Sequence, residues 1–235
     1  HPHTIAFAIT FDIVTRIYRG EFQGVKELAE ELIQLAAEKG FIYWEAHGIF
    51  YYGYMQAMEE QLEEGLTKMF QALDTLQAIG AGTCFTRLYT RIMEAYILAR
   101  QTKKGLAVYD KAMEILQMYD ERYCEAELYR LKGELLLLKS ENEKTQTGKL
   151  KKSKEKINEI EEEAESLFQK AIEVSRKQQA KSLELRATMS LCRLLQKQSK
   201  KEEARKQLAE IYGWFTEGFD TMDLKEAKAL LEDLS

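Results

Sequence analysis

Apolar residues recur at helical spacing in five segments of this chain that align with one another without gaps. Each segment begins with a small residue, and large apolar residues follow four and eight positions later. These offsets lie on one face of an α-helix. The small residues are Gly24, Gly65, Gly105, Ala164 and Ala204, and the large residues four positions later are Leu28, Met69, Tyr109, Phe168 and Leu208. The pattern predicts five amphipathic helices, in each of which the small residue lets a neighbouring helix cross closely.

A second apolar-rich stretch precedes each of these segments, so each repeat is predicted to be a helical hairpin. Gly53 and Gly133 lie in the first helix of the second and fourth hairpins, and Gly40 and Gly80 are predicted to end second helices. The predicted hairpins span residues 3–40, 41–80, 82–120, 122–180 and 181–215, and a capping helix spans residues 222–234. The expected fold is all-α, a single repeat domain in which antiparallel hairpins of about 40 residues stack as an α-solenoid.

Two segments depart from the regular repeat. Residues 139–156 interrupt the fourth hairpin and contain almost no apolar residue, so they cannot bury themselves. They are interpreted as a solvated loop or a frayed helix extension, and the alternative is a basic finger that contacts an acidic partner. The second departure lies between the last hairpin and the capping helix. There, Trp214, Phe215 and Phe219 are predicted to pack under the capping helix as a wedge, and Asp220 is its predicted N-cap.

Composition narrows the function classes. The net charge is −5, and acidic and basic residues are mixed along the chain, so nucleic acid is not expected as a direct partner. No apolar run approaches the ~18 residues of a membrane helix, and a cytoplasmic protein is expected. The cysteines Cys84, Cys124 and Cys192 are too scattered for a disulfide framework or a metal motif.

No catalytic set is visible, so we expect no enzymatic activity and no cofactor. His47 is the one histidine away from the N-terminus, and it cannot build a histidine–metal cluster alone. The sequence opens without an initiator methionine, so it is expected to be a piece of a longer chain.

The second helices resemble tetratricopeptide repeats, which place a small residue, an aromatic residue and an alanine at these offsets. The sets Gly65-Met69-Ala72, Gly105-Tyr109-Ala112 and Ala164-Phe168-Ala171 fit that pattern, whereas Glu31 and Ile211 replace the alanine in the first and last hairpins. The period is near 40 rather than 34 residues, and the family's terminal proline is missing. The resemblance implies a right-handed superhelix whose first helices line a concave binding surface.

Residues 125–137, 212–220 and 224–231 resemble the C-terminal repeat region of bacterial signal-transduction ATPases, class III adenylate/guanylate cyclases and LuxR-type regulators. This resemblance implies a sensor or scaffold module that binds a protein, a peptide or a small polar ligand. It also implies a parent chain with a cyclase or ATPase domain, although this sequence contains no phosphate-binding loop.

The register set by Gly53 and Gly133 predicts which first-helix residues face the concave surface. Arginines, glutamates and tyrosines among them suit the recognition of carboxylates or phosphates. The alternative is that each is a solvated charge or an intrahelical pair, as Arg130 and Glu134 are four residues apart. The candidates are His47, Phe50, Tyr54, Thr90, Arg91, Glu94, Glu127, Arg130, Glu134, Arg186 and Arg193.

Aromatic residues are denser between residues 41 and 54 than one apolar stripe requires, so some are predicted to reach the surface as binding anchors. An apolar run from Ile5 to Phe11 also opens the first helix without a polar cap. These two features support a second hypothesis, in which the chain is a homodimerisation module.

Overall fold

The computed structural model describes the backbone of residues 1–147 and 151–235, and the side chains of residues 1–144 and 155–235. Regular structure in these ranges consists of eleven α-helices and one short 3₁₀ turn, with no strand, so the all-α prediction is confirmed. Among the described residues, no helix combines the length and the apolar character needed to cross a membrane.

The chain divides into two compact units, His1–Ala99 and Arg100–Ser235. The N-terminal unit contains α1 (Pro2–Arg19), α2 (Val25–Lys39), α3 (Ile42–Met58), α4 (Leu62–Ala78) and α5 (Phe85–Leu98). The C-terminal unit contains α6 (Thr102–Tyr119), α7 (Glu125–Thr147), α8 (Lys151–Lys177), α9 (Lys181–Lys197), α10 (Lys201–Tyr212) and α11 (Met222–Asp233). The boundary falls between α5 and α6, the two helices of the third predicted hairpin.

In the N-terminal unit, α3 is the central helix. It packs mainly against α2 and α4 and also contacts α1 and α5. Each of the five helices contributes apolar side chains that have almost no exposed surface. They include Ile13, Leu32, Phe50, Leu73 and Leu88. This burial is the main stabilising contribution, at roughly 25 cal/mol per Å² of apolar surface.

In the C-terminal unit, α9 is surrounded in the same way. It packs against α8 and α10 and contacts α7 and α11. Leu191, Cys192, Leu195 and Phe168 belong to one apolar core that also includes the capping helix. Each of α3 and α9 therefore contacts four other helices of its own unit.

Two hairpins repeat one close helix crossing. A Cβ atom added to Gly53 would lie 2.7 Å from the carbonyl oxygen of Gly65 and 3.3 Å from Cγ of Met69. A Cβ atom added to Gly133 would lie 2.5 Å from Cε1 of Phe168. Met69 and Phe168 both stand four positions after their hairpin's small residue, so the first-helix glycine contacts the aligned large residue in both hairpins.

Other aligned positions differ in their surroundings. Gly24 precedes α2 as its N-cap, with φ of 78°, whereas Gly65 and Gly105 lie inside helices. The side chain nearest to Gly105 is Leu135 of α7, while Gly65 meets α3. Gly40 and Gly80 follow α2 and α4 with positive φ, which confirms them as helix-ending residues.

Residues 139–147 and 151–156 extend the two helices of the α7–α8 hairpin. Helix α7 continues to Thr147 and α8 begins at Lys151. Ser140 and Lys144 both contact the carboxylate of Glu161, and Ile157 and Ile160 are buried. These contacts favour the helix-extension interpretation. Residues 148–150 and the side chains of 145–154 lie outside the described residues, so the basic finger stays a prediction.

The prediction of an aromatic wedge under the capping helix was wrong for two of its three residues. Trp214 is 58% exposed and Phe219 is 46% exposed, while Phe215 packs against the core. Helix α11 is instead held by its own buried apolar stripe of Leu224, Ala227, Leu230 and Leu234. Its N-cap is Thr221 rather than Asp220, because Thr221 is the residue with extended backbone immediately before the first helical residue.

Candidate binding surfaces

Helices α1, α3 and α5 form a shared layer of the N-terminal unit, called here the N-terminal surface. Its innermost predicted residues, Phe50 and Tyr54, have almost no exposed side chain and belong to the core. Burial raises the pKa of the Tyr54 hydroxyl, and the neighbouring Glu94 carboxylate raises it further. The neutral hydroxyl donates a hydrogen bond to Glu94 over 3.1 Å.

Arg91 and Glu94 form an ion pair on α5. Their Nη1 and Oε2 atoms are 2.9 Å apart, and the Arg91 guanidinium also lies over the ring of Tyr18 on α1, 5.2 Å from its centroid. Thr90 is buried and donates to the backbone oxygen of Arg87. The structure therefore brings Tyr54, Arg91 and Glu94 together as one network, and these side chains bind one another.

His47 is buried among aromatic rings of its own helix. Its ring centroid lies 4.6 Å from that of Tyr43 and 6.3 Å from that of Tyr51. Neither ring nitrogen has a hydrogen-bond partner among the described residues. Burial, together with the positive charge of Arg87, lowers the pKa of His47 to about 3, so the imidazole is neutral at physiological pH.

Trp44 and Arg87 complete the polar part of the N-terminal surface. The Nε1 atom of Trp44 is buried and has no hydrogen-bond partner among the described residues. Arg87 of α5 lies over the ring of Phe11, with its guanidinium carbon 6.0 Å from the ring centroid. Its charge acts on His47 and on Tyr51, whose pKa is raised by burial against the effect of this arginine.

The exposed edge of the N-terminal surface is apolar. Phe7 and Phe11 of α1 lie one helical turn apart with ring centroids 4.5 Å from each other, and they are 49% and 42% exposed. Phe7 also meets the ring of Trp44 edge-on at 6.0 Å. Reasoning from the glycine register missed Phe7, Phe11, Trp44 and Arg87. The apolar run that opens the first helix was the available signal for the two phenylalanines.

Helices α7, α9 and α11 form the corresponding layer of the C-terminal unit, called here the C-terminal surface. At its centre Glu127 is buried, with 2% of its surface exposed, and its carboxylate accepts hydrogen bonds from Nε and Nη2 of Arg130 at 2.9 and 2.7 Å. Arg186 of α9 approaches the same carboxylate at 3.7 Å and donates to Asp223 of α11 over 2.7 Å. Burial acts to lower the pKa of Arg186, but Glu127 and Asp223 raise it above its ordinary value.

The other predicted residues of the C-terminal surface are also engaged. Glu134 accepts a hydrogen bond from Ser190 over 2.6 Å and lies 3.6 Å from Nη1 of Arg130. Arg193 donates to Glu226 of α11 over 2.8 Å. All five predicted residues of this surface therefore belong to ion pairs. The α11 carboxylates Asp223 and Glu226, which bind Arg186 and Arg193, were not predicted. Residue spacing within one helix gives no information on a partner that belongs to another helix.

The described residues contain no group of three or more histidine, cysteine, aspartate and glutamate side chains positioned to hold a metal ion. The three cysteines are unbridged, and burial raises the pKa of the Cys192 thiol to about 12, so this thiol is not a nucleophile at neutral pH.

Comparison with known proteins adds no family assignment to this geometry. The sequence matches no model of a protein family. It also matches no curated protein.

Proposed function

We propose that the chain is a tetratricopeptide-like repeat module that binds a protein, a peptide or a small polar ligand and catalyses no reaction. In this proposal the hairpins stack as an α-solenoid closed by α11. The first helices carry the binding surface. The repeated crossings of Gly53 with Met69 and of Gly133 with Phe168 support the equivalence of the hairpins.

One observation carries the proposal. The N-terminal surface combines two half-exposed phenylalanine rings with buried polar groups that have no hydrogen-bond partner among the described residues, namely Nε1 of Trp44 and both nitrogens of His47. Buried polar groups in folded proteins are nearly always paired, so each unpaired group needs an explanation. Exposed aromatic rings next to such groups are typical of binding sites.

The C-terminal surface is less suited to a ligand. Its arginines are held by carboxylates of the same unit, and a ligand would have to replace these partners. Removing one partner of a buried ion pair, such as that of Glu127 with Arg130, costs about 3–5 kcal/mol. We therefore place the main binding contacts on α1, α3 and α5.

The parent chain is proposed to be a bacterial, cytoplasmic signalling protein with a cyclase or ATPase domain. This part of the proposal rests on the resemblance of residues 125–137, 212–220 and 224–231 to the C-terminal region of such proteins. The module would then act as a sensor or scaffold for that domain.

Site-specific photocrosslinking tests the proposed surface. Benzoylphenylalanine is placed at Phe7, on the N-terminal surface, and at Phe70, a partly exposed control position on α4. After irradiation in a lysate of the source organism, crosslinked partners are identified by mass spectrometry. A partner enriched at position 7 over position 70 supports the proposal. Equal yields at the two positions contradict it.

The alternative function is homodimerisation. It is favoured by the exposed apolar side chains of Ile5, Phe7 and Phe11 on α1. Light scattering at protein concentrations from 5 to 500 µM, roughly the Kd range of modest dimers, distinguishes the two functions. A dimer that dissociates when Phe7 and Phe11 are both replaced by serine supports the alternative, and a concentration-independent monomer rules it out.

A further inference from the structure

Side chains of α2, α3 and α4 line a groove in the N-terminal unit, called here the N-terminal groove. Its volume is about 470 Å³, within the roughly 300–1,000 Å³ that is usual for small-molecule sites. Ile33 of α2 and Ile49 and Tyr52 of α3 line the groove, and all three side chains are partly exposed. The groove therefore offers apolar surface that a ligand reaches directly from solvent.

Two close helix crossings fix the walls of this groove. A Cβ atom added to Gly48 of α3 would lie 2.7 Å from Cγ1 of Ile33 on α2. A Cβ atom added to Gly53 of α3 would lie 2.9 Å from Cβ of Lys68 on α4. Both walls are thus packed tightly against α3, and Ile49 and Tyr52 lie between the two glycines in sequence. The groove is therefore formed before any ligand binds, as small-molecule sites usually are.

The N-terminal groove contains one cation that the protein does not neutralise. Nζ of Lys68 lies 6.0 Å from the ring centroid of Tyr52, and no ion pair joins Lys68 to another described residue. Lys26, the other lysine over this ring, donates a hydrogen bond to Glu59 over 2.7 Å. That hydrogen bond and, less strongly, the charge of Glu30 on the α2 wall raise the pKa of Lys26. Lys68 is the lysine of this group that is open to an anion.

A groove between the corresponding helices of the C-terminal unit provides a comparison. It is lined by side chains of α8, α9 and α10 and has a volume of about 360 Å³. Two of its cations are paired, because Arg176 donates to Glu184 over 2.7 Å and Lys177 donates to Glu173 over 2.6 Å. An anion would have to displace these carboxylates. The open lysine therefore distinguishes the N-terminal groove.

We propose that the N-terminal groove binds an apolar carboxylate. The carboxylate pairs with Lys68, and the apolar chain covers Ile33, Ile49 and the ring of Tyr52. This site uses the walls on α2 and α4 rather than the surface of α1, α3 and α5, so the inference goes beyond the proposed function and does not depend on it.

A single negative charge suits the groups around Lys68. Gln71 stands three positions after Lys68 on α4, so the two side chains are neighbours on one wall, and its amide is suited to donate a second hydrogen bond to the carboxylate. Glu30 on the other wall disfavours a ligand with two negative charges. A monocarboxylate therefore matches the groove better than a phosphate does.

Methyl NMR of the full chain, labelled at the isoleucine δ1 methyl groups, tests the site with octanoate as the probe. Ile33 and Ile49, assigned through Ile33→Val and Ile49→Val, report on the N-terminal groove. Ile172 reports on the C-terminal groove, and Ile5 reports on the exposed part of α1. We expect saturable shifts of the Ile33 and Ile49 signals, with those of Ile172 and Ile5 unchanged.

Two further probes separate the apolar chain from the charge. Acetate has the charge without the chain, and octylammonium has the chain with the opposite charge. Because an exposed ion pair accounts for up to about five-fold in affinity, octylammonium is expected to bind about five-fold more weakly than octanoate. Acetate is expected to give no saturable shift. These comparisons use the unmodified protein.

Substitutions of Lys68 test its assigned role. Lys68→Gln is expected to weaken octanoate binding about five-fold, and Lys68→Glu is expected to reverse the preference so that octylammonium binds more tightly than octanoate. The side chain is partly exposed and has no ion pair to lose, so both variants are expected to keep the isoleucine spectrum outside the groove. Lys103→Gln, at an exposed lysine of α6, is the control and should leave binding unchanged.

Each alternative result overturns a defined part of the inference. Shifts confined to Ile5 or Ile172, or no saturable response to octanoate, rule out the site. Octylammonium that binds as tightly as octanoate rules out the carboxylate, and unchanged affinity in Lys68→Gln rules out the role of Lys68. Crosslinking at position 7 tests the proposed function separately, so that function stands or fails independently of these results.

Discussion

Replacing His47 by leucine is expected to stabilise the N-terminal unit. The imidazole is 1% exposed, and both of its nitrogens are buried without a hydrogen-bond partner among the described residues. An unsatisfied buried polar group costs about 1–3 kcal/mol. Losing the ring contacts with Tyr43 and Tyr51 offsets roughly 1 kcal/mol of that gain. At pH 7.5 we therefore expect the free energy of unfolding to rise by about 1 kcal/mol.

The gain is expected to grow as the pH falls. In the folded protein the pKa of His47 is lowered to about 3, whereas the unfolded value is near 6.5. Between these values the unfolded chain binds more protons, so the native protein loses stability as the pH drops below about 6.5. The loss is roughly 1.4 kcal/mol per pH unit, or about 2 kcal/mol at pH 5. Leucine has no such linkage, so the variant's advantage should reach about 3 kcal/mol at pH 5.

Urea unfolding followed by Trp44 emission, in the Trp214→Phe background, measures this difference at pH 7.5, 6 and 5. His47→Gln is the matched control, because glutamine keeps polar atoms in the core but does not titrate. It should lose the same pH dependence without the gain at pH 7.5. An advantage of the leucine variant that is constant with pH would refute the reasoning, since it would mean that the folded protein protonates His47 as readily as the unfolded chain does.

Three further predictions concern the C-terminal unit. Glu127→Gln removes a buried charge that binds arginine and should lower the free energy of unfolding by about 3 kcal/mol. Glu226→Gln, at an exposed ion pair, should lower it by under about 1 kcal/mol. Equal losses for the two variants in urea titrations would contradict this prediction. Gly133→Ala should cost about 1–3 kcal/mol because the new methyl group overlaps Phe168, and Phe168→Leu should recover part of the loss in a double-mutant cycle. Trp214→Ser should change the thermal midpoint little, corresponding to less than about 0.5 kcal/mol, since the ring is largely exposed.

The helices and one of their close crossings could be predicted from the sequence. A small residue in a second helix indicates where a neighbouring helix can approach closely, and Gly65, which meets Gly53 and Ala57 of α3, is an example. This succeeds because helical periodicity fixes which residues share a face, and the sizes of those residues fix which faces can approach.

The partners of surface charges could not be predicted in the same way. Arg186 binds Asp223 and Arg193 binds Glu226, at sequence separations of 37 and 33 residues. Periodicity placed the arginines on an exposed face of α9 but carried no information on how α11 packs against that helix. The intrahelical alternative held for Arg130, whose partners Glu127 and Glu134 are within one turn.

Aromatic density was a partial guide to the candidate site. The crowding between residues 41 and 54 was expected to leave some rings on the surface. Trp44, Phe50, Tyr51 and Tyr54 are buried, whereas Phe41, Tyr43 and Tyr52 are partly exposed. Helix α3 contacts four other helices, so more than one of its faces is covered. The half-exposed rings next to this cluster belong to α1, which packs mainly against two helices of its unit, α2 and α3.

The footprint of a bound partner tests the central claim most directly, which is that α1, α3 and α5 present the binding surface. Hydrogen exchange of the full chain is measured with and without the partner recovered by crosslinking at position 7. The account predicts slower exchange in α1, α3 and α5, with α2 and α4 unchanged. Protection confined to α2 and α4 would contradict it.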